Sequence, residues 1–351
     1  MKQSTRNLLS ALFIVFTLAL VIVIAFSNSE LTNAWETLFT LNPAWFALAV
    51  GAWLCYLVFD ALGYHYFLRK QKNPVTLREA LFISVIGFYY GNITPGASGG
   101  QPMQVYYMNK MNVPVGVGSS AVSLRLLCNQ LMVVLMASLL WAFNADFVNA
   151  QLGGVKWLII IGWLINFAAV PLVLLAALHR TLVQTILFFF IRLGGKLRLI
   201  KDESGAQIRV SAVLDSYHSS ILRLGRHPGQ IVAHLALAGL SMLGLMSVTL
   251  FVYYAFDLSG VPWQQLLTVS FLLFLSASYT PLPGASGAQE GGFLIYYSGL
   301  FTQGTIGMAL LVWRFITYYS FILLGTLAVI GRNLHDRRAR KSVPASPDQP
   351  R

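Results

Sequence analysis

The chain has 351 residues, 56% of them hydrophobic and only 10% charged, with 24 Lys and Arg against 12 Asp and Glu. Soluble domains carry about 25% charged residues, so this composition excludes an ordinary soluble enzyme or nucleic-acid-binding domain, and a mean hydropathy of +0.66 assigns the chain to a lipid bilayer. The formal net charge is +12, and no nucleic-acid partner is expected.

In chain order, the first apolar run covers residues 8–26, behind Lys2 and Arg6. It exceeds the about 7 to 15 apolar residues of a secretory signal, so it reads as a retained signal anchor. Further runs at 44–68, 117–143, 157–178, 231–256 and 306–330 approach or exceed the ~20 residues that cross ~30 Å of hydrocarbon. That predicts six transmembrane helices. Two other apolar regions, 80–108 and 266–301, are each interrupted by nearly the same heptapeptide, PGASGGQ at 95–101 and PGASGAQ at 283–289. Cys55 and Cys128 fall inside apolar runs and imply neither a disulfide framework nor a metal site.

Each arm beside a heptapeptide has about a dozen residues and rises only ~18 Å, too little to cross alone. Each interrupted region is therefore one broken span or a hairpin that enters and leaves by the same face. Charge decides, because Lys and Arg in short loops collect on the cytoplasmic side. With two re-entrant hairpins, 21 of the 24 basic residues lie inside, Lys156 alone lies outside, and Arg125 and Arg314 lie in the membrane. Two full crossings would instead move Lys110 and the eight basic residues of 180–226 outside. The hairpin topology makes the chain an all-α polytopic membrane protein of six transmembrane helices and two re-entrant helical hairpins, arranged as two inverted repeats. The first repeat is 1–148, with its hairpin at about 80–109. The second is 149–335, with a basic cytoplasmic loop at 179–228 and its hairpin at about 264–302. A disordered cytoplasmic tail follows at 336–351. Both termini are cytoplasmic, and the expected location is a bacterial plasma membrane.

Opposed hairpins bring the tips Pro95, Gly96, Gly99 and Gly100 toward Pro283, Gly284 and Gly287 near the midplane, where discontinuous helices of secondary transporters form a binding site. Non-helical backbone at that depth requires a protein-lined or wet cavity. Ser98 and Ser286 offer hydroxyls, Gln101 and Gln289 offer amides, and the N-terminus after each tip offers N–H groups to an anion. The same glycines also suit close backbone packing. Arg125 and Arg314 follow their prolines by 30 and 31 residues. Both sit deep in spans, where a charge costs ~2.5 to 3.5 kcal/mol unless it faces protein or water. They are candidates to clamp a lipid phosphate, or else to pair with the embedded acids Asp60 and Glu290. Glu290 breaks the repeat, since QEGGF stands where the first copy reads QPMQV; an acid there suits a cationic headgroup or a coupling proton. His65 and His234 read as interfacial or packed residues. The pairs Tyr89 and Tyr90, Tyr106 and Tyr107, and Tyr296 and Tyr297 read as interface anchors, core, or lining of a lipid path.

The segments NITPGASGGQPMQVYYM and TPLPGASGAQEGGF, each followed by an intramembrane Arg, resemble the two signature segments of the lysylphosphatidylglycerol synthase transmembrane region, also called the flippase-like or UPF0104 family. The resemblance covers roughly residues 5–332. It implies a membrane region that moves lysyl-phosphatidylglycerol to the outer leaflet, with resistance to cationic peptides. In full-length members a cytoplasmic aminoacyltransferase domain makes that lipid from lysyl-tRNA. Glu290 matches the Glu of the family's second motif, whereas Gln101 stands where many first motifs carry an acid.

Outside the spans the longest segment is 179–227, too short for an aminoacyltransferase, and no nucleotide loop, metal cluster or Ser-His-Asp order accompanies it. The residues therefore do not support lysyl transfer by this chain alone, and no cofactor is expected. The 179–227 loop reads as an amphipathic basic surface on anionic lipid. The expected function is a lipid translocase whose partner is a membrane phospholipid. The alternatives are the membrane component of a phosphatidylglycerol lysyltransferase and a scaffold for a cytoplasmic lipid-modifying enzyme.

Overall fold

A computed structural model describes residues 41–196, 202–302 and 304–341. The expected span at 8–26 lies outside the described residues, as does the end of the tail. Helix α1 (Pro43–Lys70) begins where Asn42 Oδ1 accepts the Ala44 N–H at 3.1 Å, with Pro43 at the first helical position, where a missing N–H costs nothing. Arg69 and Lys70 end it against the negative pole of the helix dipole. Helix α2 (Leu77–Ile93) starts on a capping box: the Thr76 N–H donates to Glu79 Oε2 at 2.7 Å and the Glu79 N–H donates to Thr76 Oγ1 at 3.2 Å. It stops at Thr94, whose extended backbone is the one a following proline enforces.

After the turn Pro95–Ala97, α3 (Gly100–Lys110) folds back along α2. Gln104 donates to the Ile83 carbonyl at 3.1 Å. Gly100 lies so close to α2 that a Cβ would sit 2.6 Å from the Gly87 carbonyl oxygen. There follow α4 (Val115–Phe143), α5 (Ala145–Leu152), α6 (Lys156–Leu178), α7 (Arg180–Lys196), α8 (Glu203–Gly225) and α9 (Pro228–Ala255). Helix α10 (Trp263–Ala277), the turn Pro283–Ala285 and α11 (Ala288–Tyr296) form a second hairpin, with the Tyr296 hydroxyl donating to Ser276 Oγ at 2.9 Å. The chain closes with α12 (Ile306–Arg314), a π-helical turn (Phe315–Tyr319) and α13 (Ser320–Lys341), which carries helix into the first residues of the tail.

Among the described residues, five stretches are long and apolar enough to cross a membrane: Pro43–Lys70, Val115–Phe143, Ala145–Leu175, Pro228–Ala255 and Ile306–Leu334. They correspond to five of the six expected spans. Among the described residues no β-strand occurs. The chain is a helical, membrane-embedded, multi-pass protein.

Its centre is the antiparallel pair α1 and α9. The Asn42 N–H donates to the Ala255 carbonyl at 2.8 Å at one end, Ser241 Oγ donates to the Tyr56 carbonyl at 2.9 Å midway, and the His234 ring meets Phe67 at 5.9 Å at the other end. Gly244 permits the approach, since a Cβ there would lie 2.7 Å from the Ala52 carbonyl oxygen. Around this pair the contacts are reciprocal: α2 packs on α13, and its counterpart α10 packs on α4. His234 is a buried, packed residue, and His65 Nδ1 bonds the Val75 carbonyl at 2.8 Å. Both cysteines are free, Cys128 buried and Cys55 on the outward face of α1 rather than inside the bundle. The basic 179–227 segment forms α7 and α8. Ile191 is the buried residue of α7, and Ile186, Phe189 and Phe190 are exposed beside Arg192.

Candidate functional site

The shared PGAS is first a backbone device. In both copies two consecutive residues take the left-handed conformation, Gly96 and Ala97 at φ 57° and 54°, Gly284 and Ala285 at φ 60° and 51°. Each turn closes with a Ser N–H donating to the proline carbonyl at 3.2 Å, Ser98 to Pro95 and Ser286 to Pro283. Left-handed backbone costs an L-residue ~1 to 2 kcal/mol, which only surrounding contacts can offset. The copies then part: Gly99 stays in the right-handed helical region at φ −83°, whereas Gly287 goes to φ 86°.

A methyl group distinguishes the two glycines. At Gly96 a Cβ meets nothing within 4 Å, whereas at Gly284 it would fall 2.1 Å from Tyr318 Cε2. Gly96→Ala is therefore expected to lower stability by about 1 kcal/mol through strain alone, and Gly284→Ala by about 1 to 3 kcal/mol more through overpacking. Thermal unfolding of the purified variants checks the order; equal losses would contradict this packing.

The tips touch, with the Gly96 N–H donating to the Pro281 carbonyl at 2.9 Å. Beside that contact is a cavity of about 230 Å³ whose walls include Tyr56 from the middle of α1, Thr249 of α9, Phe88 and Asn92 of α2, and Phe321 of α13. Gly96, Gly284, Gln289 and Arg314 also line it, and Arg314 is the one charged residue among its lining.

Arg314 is 5% exposed and Glu290 1%. The arginine Nε donates to Glu290 Oε1 at 2.7 Å and its Nη2 to the Gly284 carbonyl at 3.2 Å, while Glu290 Oε2 accepts the Gly287 N–H at 2.6 Å. One ion pair thus ties the second tip to the last span. The guanidinium carbon lies 5.2 Å from the ring centroids of both Trp313 and Tyr318. The π-helical turn that begins at Phe315 alters the helical register next to the arginine, a feature common at functional sites.

Arg125 occupies different surroundings. It pairs with Asp60 and donates to Asn129 Oδ1 and, from Nη2, to Ser241 Oγ at 3.0 Å. Asp60 also accepts the Ser84 hydroxyl of α2. This network joins α1, α2, α4 and α9 and does not line the cavity. Of the two roles open to the embedded charges, both arginines here take the ion pair, and only Arg314 also faces the cavity.

Among the other expected site residues, Ser286 is buried with its hydroxyl on the Pro283 carbonyl, and Ser98 is exposed. Gln101 does not line the cavity. The N–H groups of the two N-cap glycines are taken, Gly99 N–H by Thr94 Oγ1 at 2.8 Å and Gly287 N–H by Glu290 at 2.6 Å. At the second tip the N-cap N–H is held by the protein's own carboxylate, because Glu290 is the third residue of α11 and reaches back. Sequence reasoning missed Asn92, Thr280, Trp313 and Tyr318 in the cavity, and Ser84, Asn129 and Ser241 around Arg125. Trp313 and Tyr318 carried a signal, as neighbours of Arg314 at positions −1 and +4.

The chain matches the family model for the lysylphosphatidylglycerol synthase TM region over residues 7–325. It is similar to a UPF0104 membrane protein of Archaeoglobus fulgidus, 24% identical over 343 residues that cover 88% of this chain and 92% of that one. No solved structure matches it.

Proposed function

The chain belongs to the lysylphosphatidylglycerol synthase transmembrane-region family, and from that premise we propose that it is a lipid translocase, moving a phosphate-bearing lipid headgroup between leaflets through the cavity between the two tips. One observation carries the reading: a guanidinium lines an otherwise uncharged cavity where two broken helices meet at the middle of the long spans. Arg314, which lines the cavity, keeps Glu290 on Nε and the Gly284 carbonyl on Nη2, and among the described residues its Nη1 makes no hydrogen bond. A phosphate oxygen can dock there without first breaking the pair. The aromatic and aliphatic walls take the apolar part of the lipid.

Antiparallel α1 and α9, and the exchanged packing of α2 on α13 and α10 on α4, support two inverted repeats with re-entrant hairpins. Charge counting supports cytoplasmic termini. In this arrangement the Gly96–Pro281 hydrogen bond joins the two tips, and the Tyr318 hydroxyl donating to the Asn92 carbonyl at 3.3 Å ties the last span to the first tip. The test is leaflet exchange of a fluorescent phosphatidylglycerol in proteoliposomes, read by the fraction that external dithionite bleaches. Exchange above that of protein-free vesicles is expected, and equal rates would overturn the proposal.

A further inference from the structure

We propose that α7 lies in the headgroup layer of the leaflet where α6 ends, its apolar face among the acyl chains and its basic flank on anionic phospholipid. This seat holds α8 against both roots of the first hairpin. Neither part depends on lipid moving between leaflets. Helix α7 turns one face to the protein, where Ile191 is buried and Arg180 pairs with Asp215 of α8 at 2.8 Å. On the opposite face Leu182, Ile186, Phe189, Phe190 and Leu193 recur at helical spacing and are all exposed, Phe189 by 61% and Phe190 by 59%. A face of that kind needs an apolar cover.

The bilayer supplies it. Only His179 separates α7 from α6, which belongs to a stretch able to cross the membrane. The exposed Leu172, Leu175 and Leu178 of α6 lead to that junction, so its lipid-facing band runs on into α7. Thr181, Thr185, Arg192 and Lys196 are exposed as well and share one flank of α7. The helix contains no Asp or Glu, and among the described residues neither Arg192 nor Lys196 forms an ion pair. Glu203 of α8 reaches Gly195 in the last turn without pairing with either. Phe and Leu on one face with Arg and Lys beside them suit a helix lying in an anionic headgroup layer.

Helix α8 links this seat to the first hairpin. Gln71, just after α1, donates to the Ser220 carbonyl at 3.1 Å. Gly116, in the first turn of α4, lies so close to α8 that a Cβ would sit 2.5 Å from the Val213 carbonyl oxygen. One contact precedes α2 and the other follows α3, so α8 rests on the chain at both ends of that hairpin.

The full chain with Cys55→Ala, labelled with NBD at Phe190→Cys or at Ser219→Cys on the exposed face of α8, tests this at one copy per nanodisc; Cys128 is buried and stays. The discs mix phosphatidylcholine and phosphatidylglycerol, with an acyl-chain nitroxide on one lipid or the other. Lipid quenching is expected to be at least about threefold stronger at position 190 than at 219. Equal quenching at the two positions would overturn the seat. Nitroxide on phosphatidylglycerol should quench position 190 at least about twice as strongly as nitroxide on phosphatidylcholine at equal content, and Arg192→Gln with Lys196→Gln should remove that difference. Equal quenching by the two lipids, or a difference that survives the double variant, would overturn the anionic part. Shielding of position 190 from iodide only when two copies share a disc would assign the face to a second copy instead. Phe189→Asp with Phe190→Asp should speed amide hydrogen exchange in α8 at least about tenfold while α1 and α9 stay protected. Unchanged exchange in α8 would overturn its dependence on the seat.

Discussion

Arg314→Ala is expected to abolish leaflet exchange and to weaken phosphatidylglycerol binding by about 2 to 5 kcal/mol, at least roughly thirtyfold. The same change leaves Glu290, 1% exposed, with only the Gly287 N–H as partner. Removing one member of a buried pair typically lowers stability by about 3 to 5 kcal/mol, so lost exchange in this variant alone could reflect lost fold. The double variant Glu290→Gln with Arg314→Gln separates the two effects. With Gln in place of Arg314 the amide ends where the Arg314 Nε lies, so the two neutral amides can bond each other as Nε and Oε1 do now, and the pair leaves no orphan charge behind. Its melting temperature should return to near that of the parent while exchange stays absent, because no cation remains to meet the phosphate. Recovered exchange in that double variant would sink the role given to Arg314.

The break at each PGAS was legible because its cause is local. Proline fixes the residue before it, and glycine opens the left-handed region to the chain. The fold-back of the arms followed from charge placement, a property of loops that does not depend on side-chain packing. What happens beyond the turn was not legible, because identical letters meet different backbones. Ser98 is exposed and Ser286 is buried; the following glycine is at φ −83° in one copy and 86° in the other. The partners of the arginines were equally open. Asp60 and Arg125 are 65 residues apart, Glu290 and Arg314 are 24 apart, and which acid meets which base depends on how the helices rotate against each other. The cavity's amides and hydroxyls escaped notice for a similar reason. Asn92 and Thr280 are single polar residues at the edges of apolar runs, and only the meeting of the tips brings them onto one wall.

Asp60→Asn should be among the most destabilising single substitutions in the chain, by about 3 to 5 kcal/mol, although Asp60 does not line the cavity. It removes the charge that balances Arg125, a guanidinium only 8% exposed, and leaves Asn129 and Ser241 as neutral partners that cannot replace it. Asp60 also receives the Ser84 hydroxyl, so the change loosens the attachment of the first hairpin to α1. Among the described residues no comparable link from the second hairpin runs through this network; its anchor is the Glu290 and Arg314 pair on the last span. The two arginines therefore differ in what their loss should do. Asp60→Asn and Arg125→Ala lower the yield and melting temperature of folded protein, while the fraction that remains folded exchanges lipid at a rate close to that of the parent. A folded Asp60→Asn protein with parental stability and no exchange would place Arg125 on the lipid path instead. It would restore the symmetric two-arginine site that the near-equal spacing from the two prolines suggests.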